Sequence, residues 1–177
     1  MKRFTRIADV ANLDALLSEA MDYAANPWRS ADLGRRRTLG LVFLNPSLRT
    51  RMSTQKAAQL LGMDTIVLNA GADAWTIETR DGVVMDGAAG EHMREAAGVM
   101  GRYCDILGLR TFPGLVDRDY DYAETVLEQF VTYSGVPVIS LESATRHPLQ
   151  SFADLITIMQ HRPVVRPKVV LTWAAHP

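Results

Sequence analysis

The pattern of apolar and polar positions alternates between two periods along the chain. Residues 39–44 form an apolar run with one glycine, which reads as a buried strand that stops at the Asn45-Pro46 turn signal. Helical spacing follows and carries through Ala57, Ala58, Leu60 and Leu61 to Gly62. Three further short apolar runs, at 65–68, 105–109 and 137–141, read as strands, the third of these closely followed by Glu142. A helix opening at Asn12 or Asp14 carries Leu13, Leu16, Leu17, Ala20 and Met21 on one stripe and ends at Asn26-Pro27. The same spacing predicts helices over 91–103 and 122–133, and another opening at His147-Pro148 with Phe152, Leu155, Ile156 and Met159. Residues 69–90 have little regular pattern, and 168–173 read as a last strand after a link punctuated by Pro163 and Pro167.

Strand and helix therefore alternate. That implies an α/β fold, a three-layer α/β/α sandwich around a parallel, mainly four-stranded sheet. The 177 residues are enough for one domain, or one and the start of another. At 47% hydrophobic and 22% charged, the composition is that of an ordinary globular core.

Charge narrows the partners. With 19 basic and 20 acidic residues there is no basic stripe for nucleic acid or an anionic membrane, so any anion site must be local. The short cluster Arg35-Arg36-Arg37 reads as a solvated loop. No secretory or membrane-spanning stretch is evident, which makes a cytoplasmic location the expectation. The single Cys104 rules out a disulfide framework, and its apolar neighbourhood favours a buried structural thiol over a nucleophile.

Candidate chemistry gathers after the strands. Ser47-Leu48-Arg49-Thr50-Arg51 stands where the first strand hands over to a helix, so Ser47 to Thr50 occupy a helix N-terminus. These residues alone fit either an ordinary cap or a phosphate cradle in which Arg49 adds a planar fork. Arg110 ends the third strand, while Glu142, His147 and Gln150 follow the fourth. Ligands bind beyond the carboxyl ends of parallel strands, so three polar sets on one edge favour a site. Cations, hydroxyls, one imidazole and one amide suit a group transfer run by positioning and electrostatics, with no metal-ligand spacing and no nucleophile elbow.

These motifs resemble the transcarbamylase family. Ser47-Leu48-Arg49-Thr50-Arg51 is similar to its Ser-x-Arg-Thr-Arg phosphate motif, His147-Pro148-Leu149-Gln150 to its His-Pro-x-Gln motif, and Arg110 to its carbamoyl-phosphate arginine. Asp73-Ala74-Trp75, Val84-Met85-Asp86-Gly87, residues 103–110 and Leu171-Thr172-Trp173 look like the branch acting on N-acylornithines, and 145–155 like its succinyl members. The resemblance covers the whole chain but about half of a family-length protein. It implies residues 1–160 as a carbamoyl-phosphate-binding domain, and 161–177 as a linker and first strand of a truncated acylornithine-binding domain.

The resemblance further implies carbamoyl phosphate and an N-acylornithine as partners, no cofactor, and a homotrimer. Ser47, Leu48 through its backbone, Arg49 and Thr50 would hold the phosphate. Arg110, His147 and Gln150 would surround the carbamoyl group, and Trp75 would reach the neighbouring subunit's site. Glu142 and His176 would meet the acylornithine. Two departures matter. The family's later His-Cys-Leu-Pro motif and arginine are absent, so little turnover is expected from the chain alone. Gly90 replaces an acidic residue of acetyl-type members and a proline of succinyl-type ones, and its missing side chain leaves room for a longer, charged acyl group. N-Succinylornithine is the favoured substrate. N-acetylornithine, a non-catalytic phosphate-binding module and a purely structural domain are the rivals.

Overall fold

The computed structural model describes residues 2–70, 72–73, 76–161 and 166–172. Seven strands are present among them: β1 (Arg3–Phe4), β2 (Thr38–Phe43), β3 (Asp64–Asn69), β4 (Ile77–Glu78), β5 (Glu91–His92), β6 (Ile106–Arg110) and β7 (Val138–Glu142). The helices are α1 (Leu13–Ala25), α2 (Arg49–Leu60), α3 (Met93–Tyr103), α4 (Arg118–Tyr122), α5 (Thr125–Tyr133) and α6 (Pro148–His161). No helix among the described residues is long and apolar enough to cross a membrane.

The main sheet is parallel throughout, in the order β1-β7-β6-β2-β3. It has five strands rather than four. The addition is β1, which pairs Arg3 with Val138 and Phe4 with Ile139. Two residues are too few to show a period, and only the partner strand reveals them.

Strand alternation sorts the core into two faces. Leu39, Leu41 and Phe43 of β2 pack with Ala58 of α2 and Leu149 of α6 on one side. Val42, Leu107 and Leu109 pack with Met93 and Ala97 of α3 and with Leu127 and Phe130 of α5 on the other. Full burial of each such Leu or Phe side chain contributes about 1.5–3 kcal/mol, so two continuous clusters account for a stable sandwich. Cys104 belongs to the second cluster, and burial, helped by the charge of Asp105, pushes its thiol up. The structural reading of this cysteine follows from both observations.

Elsewhere the local reading needs correction. The stretch 122–133 is not one helix: α4 and α5 meet at Glu124, whose φ of 54° is left-handed. The irregular stretch after β3 contains β4, paired in parallel with β5 from the start of the segment read as helix 91–103. Residues 167–172 form no strand, and Val169, Val170 and Leu171 are exposed, because no described strand lies beside them to pair with. Arg35 and Arg36 are solvated as expected, whereas Arg37 reaches Asp105 at 2.6 Å.

Candidate active site at the carboxyl edge of the sheet

The chain runs from β2 outward to β3 and then crosses back to β6 on the other side of β2, and this reversal of direction opens a crevice at the carboxyl ends of β2 and β6. A cleft of about 660 Å³ lies there. Its walls include Ser47, Leu48, Arg49 and Thr50 from the β2–α2 turn, Arg110 from β6, and Glu142, His147 and Gln150 from the β7–α6 connection.

The β2–α2 turn bears out the cap reading and leaves donors facing the cleft. Ser47 Oγ accepts from the Thr50 N–H at 3.3 Å, capping the helix, and other first-turn N–H groups remain without intrahelical acceptors. Arg49 is exposed and lines the cleft, and its side chain makes no hydrogen bond or ion pair among the described residues. Its fork is open to an anion. Arg51, the second cation of the motif, turns away from the cleft, donating to Asn69 Oδ1 with its guanidinium 4.9 Å from the Phe43 ring centroid.

Arg110 is held from three sides. It is 9% exposed, it donates to Glu142 Oε2 and to Thr50 Oγ1 (3.4 Å), and its guanidinium lies 4.4 Å from the Phe112 ring centroid. The pairing with Glu142 depends on a bulge. Leu109 pairs with Ser140, but Arg110 pairs with Glu142, so Leu141 is skipped and both charged side chains come abreast. Glu142 is therefore the last residue of β7 and not a loop residue beyond it.

His147 precedes Pro148, the first residue of α6, and its Nδ1 accepts from the Gln150 N–H at 3.3 Å. An acceptor Nδ1 places the proton of the neutral ring on Nε2, which lies 3.8 Å from Glu142 Oε2. The imidazole thus offers an N–H to the cleft. The Gln150 side-chain amide donates to Asp154 at 2.8 Å. The arrangement as a whole supplies a helix terminus and a free guanidinium for a phosphate, and beside them two further donors, Arg110 and His147, for a carbonyl oxygen.

Gly90 lies elsewhere. It donates to Thr76 O at 3.1 Å and lines a separate hollow with Asp81, Met85, His92 and Arg94. Trp75 and His176 lie outside the described residues. The sequence reading did not single out Ser53 and Thr54, one turn further along α2, which also line the cleft. Their spacing of three and four residues from Thr50 was the available signal.

Residues 2–160 match the family model described as "Aspartate/ornithine carbamoyltransferase, carbamoyl-P binding domain". An N-succinylornithine carbamoyltransferase of Bacteroides thetaiotaomicron is 55% identical over 177 residues, covering 100% of this chain and 56% of that protein. An N-acetylornithine carbamoyltransferase of Xanthomonas campestris is 45% identical over 170 residues, 94% of this chain and 49% of that protein. The chain thus spans about half the length of the curated relatives it matches. Among solved structures, acetylornithine transcarbamylase complexed with acetylcitrulline superposes with a TM-score of 0.85 at 41% identity, over 91% of this chain and 48% of that one. An N-acetyl-L-ornithine transcarbamylase mutant complexed with carbamyl phosphate and N-succinyl-L-norvaline has the same TM-score of 0.85.

Proposed function

Because the chain belongs to the aspartate/ornithine carbamoyltransferase family, as its carbamoyl-phosphate-binding domain, we propose that the full-length protein transfers the carbamoyl group of carbamoyl phosphate to the δ-amine of N-succinyl-L-ornithine. The products are N-succinyl-L-citrulline and phosphate, a step of arginine biosynthesis. The observation that carries this reading is the gathering of Ser47, Arg49, Thr50, Arg110, His147 and Gln150 around one cleft.

The phosphate sits on the N-terminus of α2, held by Ser47, Thr50, the Leu48 backbone and the Arg49 fork. Arg110, His147 and Gln150 surround the carbamoyl group. The neutral amine attacks the carbamoyl carbon, a C–N bond forms, and the carbonyl oxygen takes up negative charge. Arg110 and the His147 Nε2–H stabilise that oxyanion. The C–O bond to phosphate then breaks, and the amine proton leaves with the phosphate. No covalent enzyme intermediate is required.

Residues 1–160 form the carbamoyl-phosphate domain in this reading, and 161–177 lead into an acylornithine domain. Glu142 and His176 meet the acylornithine, and Trp75 completes the site of a neighbouring subunit in a homotrimer. Greater identity to the succinyl-named relative (55%) than to the acetyl-named one (45%) supports the succinyl substrate. The similarity to solved acetylornithine enzymes keeps N-acetylornithine as the second reading. Citrulline release by the full-length protein with each acylornithine decides between them: a strong acetyl preference overturns the succinyl assignment. For the phosphate cradle, Arg49→Ala is expected to weaken carbamoyl phosphate binding by about 1.5–3 kcal/mol in calorimetry, the worth of hydrogen bonds to a charged group. An unchanged affinity removes Arg49 from the site.

A further inference from the structure

Glu124 is a buried carboxylate that does not line the cleft, yet it controls the segment that does. It is 4% exposed and has no cation among its hydrogen-bond partners. Its Oε1 accepts from Ser143 Oγ (2.8 Å), Thr145 N (2.9 Å) and Thr145 Oγ1 (2.6 Å), and its Oε2 accepts from Ala144 N (3.1 Å). A buried carboxylate needs donors, and all of these come from one loop. The backbone at Glu124 is left-handed, a conformation that a non-glycine residue keeps only where its surroundings enforce it.

The clamped loop, 143–146, joins β7 to α6 and closes on itself through Ser143 N to Arg146 O at 2.8 Å. Glu142 stands at one end and His147 at the other, with Oε2 and Nε2 3.8 Å apart. Glu142 in turn pairs with Arg110. Every polar group assigned to the carbamoyl oxygen is thus tied, directly or through one partner, to this loop. The phosphate cradle stands apart, with Ser47 on the β2–α2 turn and Arg49 and Thr50 in the first turn of α2, and meets this network only where Arg110 donates to Thr50 Oγ1 at 3.4 Å.

We propose that Glu124 is a positioning residue for carbamoyl transfer, holding His147 and Glu142 in register with Arg110 through the 143–146 loop. The inference rests on the proposed transfer reaction. Misplacing a reacting group by an ångström costs rate far more than it costs ground-state binding, so the effect belongs in kcat.

Three variants of the full-length protein test it: Glu124→Gln, Thr145→Val and the double variant, each normalised to folded protein by circular dichroism. Glu124→Gln is expected to lower kcat by about tenfold or more with KM for carbamoyl phosphate within about twofold. Thr145→Val, which removes only one hydroxyl donor, is expected to lower kcat by less. The double variant should lose no more than Glu124→Gln alone, the non-additivity of one shared interaction. Wild-type kcat per folded molecule in the single variants, or losses in kcat and KM of equal size, overturns the proposal and leaves Glu124 as a brace of the fold. If Glu124→Gln does not fold, Thr145→Val with and without Ser143→Ala decides on the same kcat-to-KM split. A wild-type protein that binds no carbamoyl phosphate would instead remove the transfer reading, an outcome separable from all of these.

Discussion

A hydrogen atom is the side chain on which the middle of the sheet depends at Gly40. A Cβ there would lie 2.6 Å from Cys104 Sγ and 2.6 Å from Leu107 Cδ2, both within the α3/α5 core face. Gly40→Ala should therefore overpack β2 against β6 and lose about 1–3 kcal/mol, read as a lower urea midpoint. Adding Cys104→Ala should recover part of that loss, because it removes one of the two contacts. Gly40 was visible in the sequence only as a break in an apolar run; what it avoids is decided by β6, more than sixty positions away. Arg110 is similar. Its place at a strand end was legible, but its partner Glu142 came abreast only through the bulge at Leu141.

At the scale of the element, Asp105 fastens the start of β2 to the entry of β6. Its carboxylate accepts from the Thr38 N–H at 2.8 Å and from Arg37 Nη1 at 2.6 Å. The Arg37 guanidinium, then the Thr38 N–H, holds its carboxyl below the usual range. A depressed folded pKa contributes stability that is present above the unfolded value, about 3.9, and lost as pH falls through the folded one. The difference in urea midpoint between wild type and Asp105→Asn should thus be level from neutral pH to about 5 and close on acidification below about 4. High salt should reduce it only in part, since the Arg37 side chain is 64% exposed and screened while the Thr38 hydrogen bond is not. Helix starts, by contrast, were well marked. Asn12 caps α1 through Ala15 N, and His147 with Pro148 opens α6, both from residues adjacent in sequence.

For the whole molecule, the sheet order brings the Ser47–Thr50 helix start, Arg110 and His147 to one edge, so the proposed phosphate cradle and carbonyl donors lie within this chain. The 177-residue chain is expected to bind carbamoyl phosphate in calorimetry while releasing no measurable citrulline from either acylornithine. Turnover equal to that of the full-length protein would show that the acylornithine contacts also lie within it. The cleft is lined by residues from three separate stretches of the chain, within 46–54, at 110 and within 142–150. That convergence is what makes individually weak motifs a candidate site.

The sequence by itself determined the alternation of strand and helix, the helix termini at Ser47–Thr50 and His147–Gln150, and the buried thiol. Each is set by the hydrophobic period or by groups within four residues of one another. Tertiary structure alone decided the fifth strand β1, the break between α4 and α5, the loss of the strand expected at 168–173 over its described part, the turning away of Arg51, and the clamp of Glu124 on the 143–146 loop. Their common cause is physical. A two-residue strand, a left-handed carboxylate and a guanidinium stacked on a distant ring acquire their energy from partners far away in sequence, so no local pattern records them.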